Sequence, residues 1–344
     1  MKTISLIIPF HDEENEIKIM LDGLVDWSKL PDEIIVINTS KSNRDEFLQK
    51  YIDFFMERNI SMKILNAPEK FPGEARNIGI RKSSCEYLAF LDSKTLPNNN
   101  WLEKSLKESS HKNVEALLGR TVYEATSVFE KNIKLSTFGV NPLTTLPGSL
   151  IKKELFSRVG QFVEHVRAGE DGDWIGRLKL QKINYSNSPE ILIYQGLKTM
   201  DFLSLVKKWF RNYLASTQLP HLKAHKDIYF YFIGFALLLL AFNWNNLSYD
   251  PNISGWNTES IFYIPDITKT IFALLIIIYF FVRAIFLPMK KGATLFDLLP
   301  LNFLIVFIIS LVLDTTKIAA FLIGRMKNIL NKMNEFLSVK DNVK

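Results

Sequence analysis

The texture of this chain changes near residue 226, and that change limits what it can fold into. Before it, short apolar runs alternate with charged stretches. After it come three long apolar blocks: residues 228–242 without a charge, residues 271–287 with Arg283 alone, and residues 298–313. The third is followed by Asp314, Lys317 and a further apolar stretch to Ile323. A helix needs about 20 mainly apolar residues to cross a bilayer. Three such blocks in about a hundred residues are hard to bury in a soluble core. The chain therefore reads as a soluble domain joined to a membrane part, and its 344 residues leave room for both. Its single cysteine excludes an internal disulfide framework and a cysteine-rich metal site. No nucleic-acid partner is expected.

Charge sets the expected orientation. Lys207, Lys208, Arg211 and Lys223 precede the first block. Residues 245–266 carry Asp250, Glu259 and Asp266 but no Lys or Arg, and Lys290 and Lys291 follow the second block. The positive-inside rule then places residues 1–226 in the cytoplasm, 245–266 outside and 288–297 inside, in a multi-pass protein of the cell (inner) membrane. Met1-Lys2-Thr3 runs into an apolar stretch, residues 4–8, that is too short for a signal-peptide core. A third crossing would carry Arg325, Lys327, Lys332, Lys340 and Lys344 outside, against the rule. A re-entrant hairpin and a violation of the rule are both open at this point.

The stretch DFLSLVKKWFRNYLAST, residues 201–217, spaces Phe202, Leu205, Val206, Trp209, Phe210, Tyr213 and Leu214 as a helical stripe. Lys207, Lys208 and Arg211 fall on the other side. Next to a membrane block, this reads as an interfacial helix with Lys207, Lys208, Trp209 and Arg211 at the headgroups. The plainer alternative is a surface helix packed on the soluble domain. The expected division is a cytoplasmic domain at 1–198, the interfacial helix and linker at 199–226, about three membrane helices at 227–323 and a basic tail at 324–344.

In the soluble part, β-type runs at 4–8, 34–37, 62–65 and 87–91 alternate with helical stripes at 17–25, 47–55 and 75–80. This spacing predicts a parallel, doubly wound α/β sheet. Ligands of such sheets bind outside the carboxyl ends of the strands. Residues 9–14, 38–40 and 92–95 are therefore the ones to inspect.

Those residues carry a resemblance. SLIIPFHDEENEI, EIIVINTSKSN, FPGEARNIGI, YLAFLDSKTLPNNNWL and GEDGDW, in that order across about residues 3–180, resemble the family 2 glycosyltransferases of GT-A fold. The resemblance implies a doubly wound mixed sheet, followed here by an all-α membrane region. It also implies a nucleotide-sugar donor, inversion at the anomeric carbon and a lipid-linked or glycan acceptor. Pro9, Asp12 and Glu14 stand where the family holds base and ribose, although acids there also suit a helix N-terminus. Asn38 and Thr39, followed by Ser40, replace the usual two aspartates and glycine, which leaves the base open. Gly73 and Arg76, with Asn77, lie at a loop–helix start, where Arg76 would reach phosphate or an acidic neighbour.

Asp92-Ser93-Lys94 takes the place of Asp-x-Asp. The family's aspartates orient ribose and a divalent metal, Mg or Mn. Asp92 is kept as the candidate ligand, and Lys94 puts a cation where the second carboxylate belongs. Asp171 is the candidate base that takes the acceptor's proton, with Glu170 as its orienting partner and Asp173 as the alternative base. An N-cap cluster is the bland reading of the same residues. Residues 147–149 and 160–164 read as acceptor-side loops, with a helix over 152–159 between them. Cys85 reads as a packed small residue, the histidines show no metal spacing, and the sequons at Asn246 and Asn252 are short enough to arise by chance.

The reading is a membrane-anchored, inverting glycosyltransferase serving surface polysaccharide or glycolipid synthesis. A polyprenyl-phosphate glycosyl synthase and a catalytically silent scaffold of the same fold are its rivals.

Overall fold

The computed structural model describes residues 2–41, 46–198, 200–219, 221, 226–253 and 255–341. They fall into two compact units. The first takes residues 1–134, 140–222 and 315–344, and the second takes 135–139 and 223–314.

The first unit is built on a nine-stranded mixed sheet with helices on both faces. Its first half alternates β1 (Ile4–Phe10), α1 (Glu14–Leu24), β2 (Glu33–Asn38), α2 (Gln49–Met56), β3 (Ser61–Asn66), α3 (Pro72–Lys82) and β4 (Tyr87–Phe90). Then come β5 (Thr95–Leu96), α4 (Trp101–His111), β6 (Ala116–Tyr123), α5 (Val128–Ser136), β7 (Leu143–Lys152), α6 (Leu155–Arg158), α7 (Glu170–Leu180), β8 (Tyr185–Asn187) and β9 (Leu192–Tyr194). The strand order is β3-β2-β1-β4-β7-β6-β9-β5, with β8 beside β6. β3, β2, β1 and β4 are parallel, and β7 runs antiparallel to both of its neighbours.

The continuous apolar runs dictate this burial. Side chains alternate across a strand, so Leu6, Ile8, Ile34 and Val36 pack on one face with Ile17, Leu21, Phe55 and Trp101. Ile7, Ile35, Ile37 and Phe90 pack on the other with Ile80, Phe156, Trp174 and Leu178. Helices on both faces explain why these strands tolerate no polar alternation.

The structure corrects two expectations here. Residues 147–149 are not a loop but the middle of β7, and the helix expected over 152–159 shrinks to α6. The register of β6 against β7 shifts between Leu117 and Gly119, opposite Pro147. A bulge is where a strand tolerates proline. Gly119 N–H donates to Ser149 Oγ at 2.8 Å, which keeps the strand paired through the kink.

The first unit also holds α8 (Phe202–Ser216) and the end of α13 (Asn302–Asp341). Asp201 caps α8 by accepting from Ser204 N–H at 2.8 Å. Ala215 and Leu219 pack against Val163 and Val166. From α13, Lys317 Nζ lies 4.9 Å from the centre of the Tyr213 ring, and Asn328 Nδ2 donates to Thr217 O at 3.1 Å.

The second unit is helical. It contains α9 (Lys226–Asn243), a connection with the short pair β10 (Tyr249–Asp250) and β11 (Gly255–Trp256), and α10 (Ile267–Phe281). A π-turn at Val282–Phe286 leads into α11 (Leu287–Lys290), followed by α12 (Leu295–Leu298) and the start of α13. Helices covering Tyr231–Ser248, Ile267–Lys290 and Asn302–Asn331 are long and apolar enough to cross a membrane. Phe232, Ile233, Phe235, Phe272, Ile277 and Ile278 lie exposed along the first two, as lipid-facing residues would. Arg283 Nη2 and Tyr279 Oη donate to Asp314 at 3.0 and 2.9 Å, so these charges are paired rather than left bare among apolar helices.

The third apolar block is one continuous helix, which removes the re-entrant hairpin. Residues 302–323 contain no Gly or Pro to break it. The charges that interrupt the block, Asp314 and Lys317, find partners in place.

Candidate active site

The ends of the parallel strands meet at an open cleft of about 250 Å³. The loop after β1 brings Pro9, His11 and Glu13, and the end of β2 brings Thr39. α3 contributes Arg76, and the loop after β4 brings Asp92, Ser93 and Lys94. Arg167, Tyr194, Lys208 and Arg211 complete it. A larger cleft of about 490 Å³ between Ile80, Cys85, Lys152 and Phe156 contains none of these strand-end groups.

Of the expected donor residues, Pro9, Thr39, Arg76, Asp92 and Lys94 line the cleft, and Asp12, Glu14, Asn38 and Gly73 do not. Asp12 takes a left-handed backbone, φ 56°, and its side chain is 63% exposed. That turn sends the next residue, Glu13, inward. Glu13 accepts from Ser93 Oγ at 2.7 Å and lies 3.2 Å from Lys94 Nζ. Glu14 turns outward on α1 and pairs with Lys18 one turn on. In a run of three acids, side-chain chemistry does not tell which one faces in. Asn38 is buried, and its Oδ1 accepts from Ser40 N–H at 3.0 Å. Thr39 Oγ1 donates to Phe10 O at 3.0 Å and lies 3.1 Å from His11 Nδ1.

Arg76 is almost fully buried and acts as a bridge. Nη2 donates to Asp92 Oδ1 and Nη1 to Glu170 Oε1, each at 2.7 Å. Both charge-assisted bonds are spent on protein carboxylates, so Arg76 ties the end of β4 to the start of α7 rather than reaching a ligand phosphate. Burial works against its charge, yet Asp92, Glu170 and Asp171 hold the guanidinium above its ordinary value. Burial pushes the Glu170 carboxyl up to about 7, against the pull of Arg76 and with a further push from Asp171.

Gly73 serves this bridge. A Cβ there would lie 2.9 Å from both Glu170 Cγ and Val163 O. Its role is close packing, not ligand approach. Asn77 donates to Phe162 O at 2.9 Å and accepts from Phe162 N–H at 3.0 Å, which fixes the 160–164 segment on α3. Gly73→Ala is expected to cost about 1–3 kcal/mol through overpacking, read as a lowered melting temperature.

α7 opens at Gly169, whose φ of 90° suits a residue without Cβ. Asp173 is buried, 2.9 Å from Arg177 Nε, and accepts from His221 N–H at 3.3 Å. These partners take it out of contention as the base. Asp171 is only partly buried and carries no ion pair among the described residues. Its Oδ1 accepts from Gly172 N–H at 2.7 Å. It does not line the cleft, but its charge acts on Arg76, which does. Burial, with Asp171 and Asp92 nearby, pushes the Tyr123 phenol up, and the Tyr123 ring meets Tyr194 of the cleft edge-on at 5.0 Å.

Of the residues read as interfacial, Lys208 and Arg211 also line the cleft, while Lys207 is exposed and the Trp209 ring lies tilted to Tyr213 at 6.3 Å. Burial brings Lys208 down to about 8, helped by Lys94 and Arg211 and opposed by Glu13. Burial and Arg167 likewise lower Arg211. Helical spacing put the three cations of α8 on one side, and two of them, Lys208 and the exposed Arg211, border the cleft. Arg167 and Tyr194 belong to no motif, and only the fold brings them here.

The domain is thus a mixed α/β sheet with acids and cations gathered at its strand ends. Residues 5–168, a little under half of the chain, match the family model "Glycosyl transferase family 2". An uncharacterized glycosyltransferase of Rickettsia bellii is 28% identical over 182 residues, covering 49% of this chain and 25% of that protein. Glycosyltransferase AglE of Haloferax volcanii is 24% identical over 186 residues, covering 51% of this chain and 60% of that one. The chain thus spans a quarter and about three fifths of the length of these relatives. Among solved structures, S. aureus TarS 1–349 in complex with UDP-GlcNAc is similar over 96% of this chain and 92% of that one, at 14% identity and a TM-score of 0.44.

Proposed function

We propose that this chain is a membrane-anchored, inverting glycosyltransferase that moves a sugar from a nucleotide-sugar donor to a lipid-linked or glycan acceptor, for surface polysaccharide or glycolipid synthesis. The observation that carries the reading is the division of labour at the start of α7. Glu170 is locked to Arg76 and Asp173 to Arg177, which leaves Asp171 as the carboxylate of the three with no cation on it among the described residues. An unpaired carboxylate beside the strand-end cleft is what proton removal from an acceptor hydroxyl needs. As that hydroxyl attacks the anomeric carbon, its proton passes to Asp171. The bond to the diphosphate breaks with its electron pair on the leaving oxygen.

The same reading places the catalytic domain in the cytoplasm with the apolar helices in the inner membrane. Within the first unit, the end of α13 packs on α8. The test is a thermal-shift screen of nucleotide sugars on the purified full chain, followed by transfer of the radiolabelled sugar into a lipid extract. A stabilising donor whose label enters lipid is the expected result. Failure of every donor to stabilise the protein or to label lipid overturns the proposal.

A further inference from the structure

The Asp92-Ser93-Lys94 strand end does not fit a divalent cation. Mg and Mn take oxygen ligands, carboxylates foremost. Both carboxylates lining the cleft are already engaged. Asp92 accepts from Arg76 at 2.7 Å, and Glu13 is held by Ser93 at 2.7 Å and by Lys94 at 3.2 Å. Lys94 would repel a cation bound beside Asp92. Among the described residues, the one trio of metal-type ligand atoms is Glu74, Glu164 and His165. None of the three lines the cleft, and Glu74 is paired with Lys70.

The same cleft gathers positive charge from separate elements. Lys94 comes from the loop after β4, Arg167 from the segment before α7, and Lys208 and Arg211 from α8. Lys208 and Lys94 are close enough to repel one another, as are Arg211 and Arg167. Like charges facing one partly desolvated space form a ready site for an anion. We propose that Lys94 and Lys208, flanked by Arg167 and Arg211, form a diphosphate-binding site that holds the leaving group of a nucleoside-diphosphate donor without a divalent cation. The identity of the diphosphate as a donor's leaving group rests on the glycosyltransferase reading. The anion site itself does not. In transfer, the glycosidic bond to the diphosphate breaks and negative charge grows on the leaving oxygen. Two fixed ammonium groups stabilise that charge with little reorganisation.

The experiment is calorimetric titration of the purified full chain with inorganic pyrophosphate in excess EDTA. It compares the natural protein with Lys94→Met, Lys208→Met and the charge-keeping Lys94→Arg and Lys208→Arg, all checked for folding by melting temperature. Pyrophosphate is expected to bind in EDTA. Each Met variant is expected to weaken it about 10- to 100-fold, and the Arg variants to retain most of the affinity. Binding should also weaken above pH 8 as Lys208 loses its proton, and Lys208→Arg should remove that loss. The groups facing Lys208 are Lys94 and Arg211, which repel its charge, and Glu13, which attracts it, while His11, Lys70, Arg76, Asp92, Arg167 and Tyr194 are the other titratable groups that line the cleft. Pyrophosphate binding that needs Mg or Mn, that is indifferent to both Met variants, or that is absent altogether overturns the proposal. Pyrophosphate binding in EDTA with no nucleotide sugar bound would instead remove the donor reading and leave the anion site standing. Nucleotide-sugar binding that requires metal would do the reverse.

Discussion

Asp171→Asn is expected to lower sugar transfer by about 10²–10⁴-fold while leaving donor binding intact. Asparagine keeps the shape of the side chain, and its Oδ1 can still accept from Gly172 N–H. What it loses is the ability to take a proton. The neighbouring acids cannot stand in: Glu170 is buried on Arg76, and Asp173 is held by Arg177 and the His221 amide. Initial rates of radiolabel transfer measure the first effect, and donor-induced thermal shift measures the second. Near-normal transfer by the variant would move the base elsewhere or point to an acceptor that is already an anion, such as a polyprenyl phosphate. Loss of donor binding together with activity would show that Asp171 shapes the donor pocket instead.

Arg76→Met is expected to be the most damaging single change to stability in the first unit, at about 3–5 kcal/mol. Two carboxylates, Asp92 and Glu170, would lose the cation that both contact at 2.7 Å, and Glu170 has no water to turn to. They would have to take up protons or move apart. Arg76→Lys keeps the charge, but a single ammonium cannot fork between two carboxylates in the planar geometry of a guanidinium, so partial rescue is expected. The measurement is the melting temperature of the full chain across pH 5 to 8. Protonation lightens the burden of the unpaired acids, so the Met variant should recover part of its deficit at the acid end. A deficit that does not change with pH would mean that packing, rather than charge, is what Arg76 supplies.

The sequence made the scaffold readable because the scaffold is repetitive physics. Unbroken apolar runs such as residues 34–37 suit only strands covered on both faces, and the helical stripes between them supply the cover. The antiparallel β7 was not readable, because Pro147 and Gly148 look like a turn and only the bulge in β6 lets them stay in a strand. In the site, motif order pointed to Asp92, which lines the cleft, and to Glu170 and Asp171, which do not. Glu13 was missed because its inward direction depends on the left-handed backbone at Asp12. Lys208 and Arg211 were read as headgroup-facing, and their place along the cleft was not legible. An amphipathic pattern reports that one side of a helix is polar, not whether water, lipid or a cleft of the same protein meets it.

The end of α13 lies in the same unit as strands made at the beginning of the chain. A Cβ on Gly324 would lie 2.4 Å from Thr217 Oγ1, so the α13 backbone packs directly on the Thr217 side chain where Asn328 closes on Thr217. On the ribosome, α8 therefore emerges long before the surface that covers it. The sheet can form early from its local β–α repeats, but the helix that carries Lys208 and Arg211 keeps an uncovered flank until the apolar helices between have been made. Full packing of α8 is thereby timed to follow synthesis of the hydrophobic segments, and the contact order of this one junction sets a delay that the rest of the domain does not share.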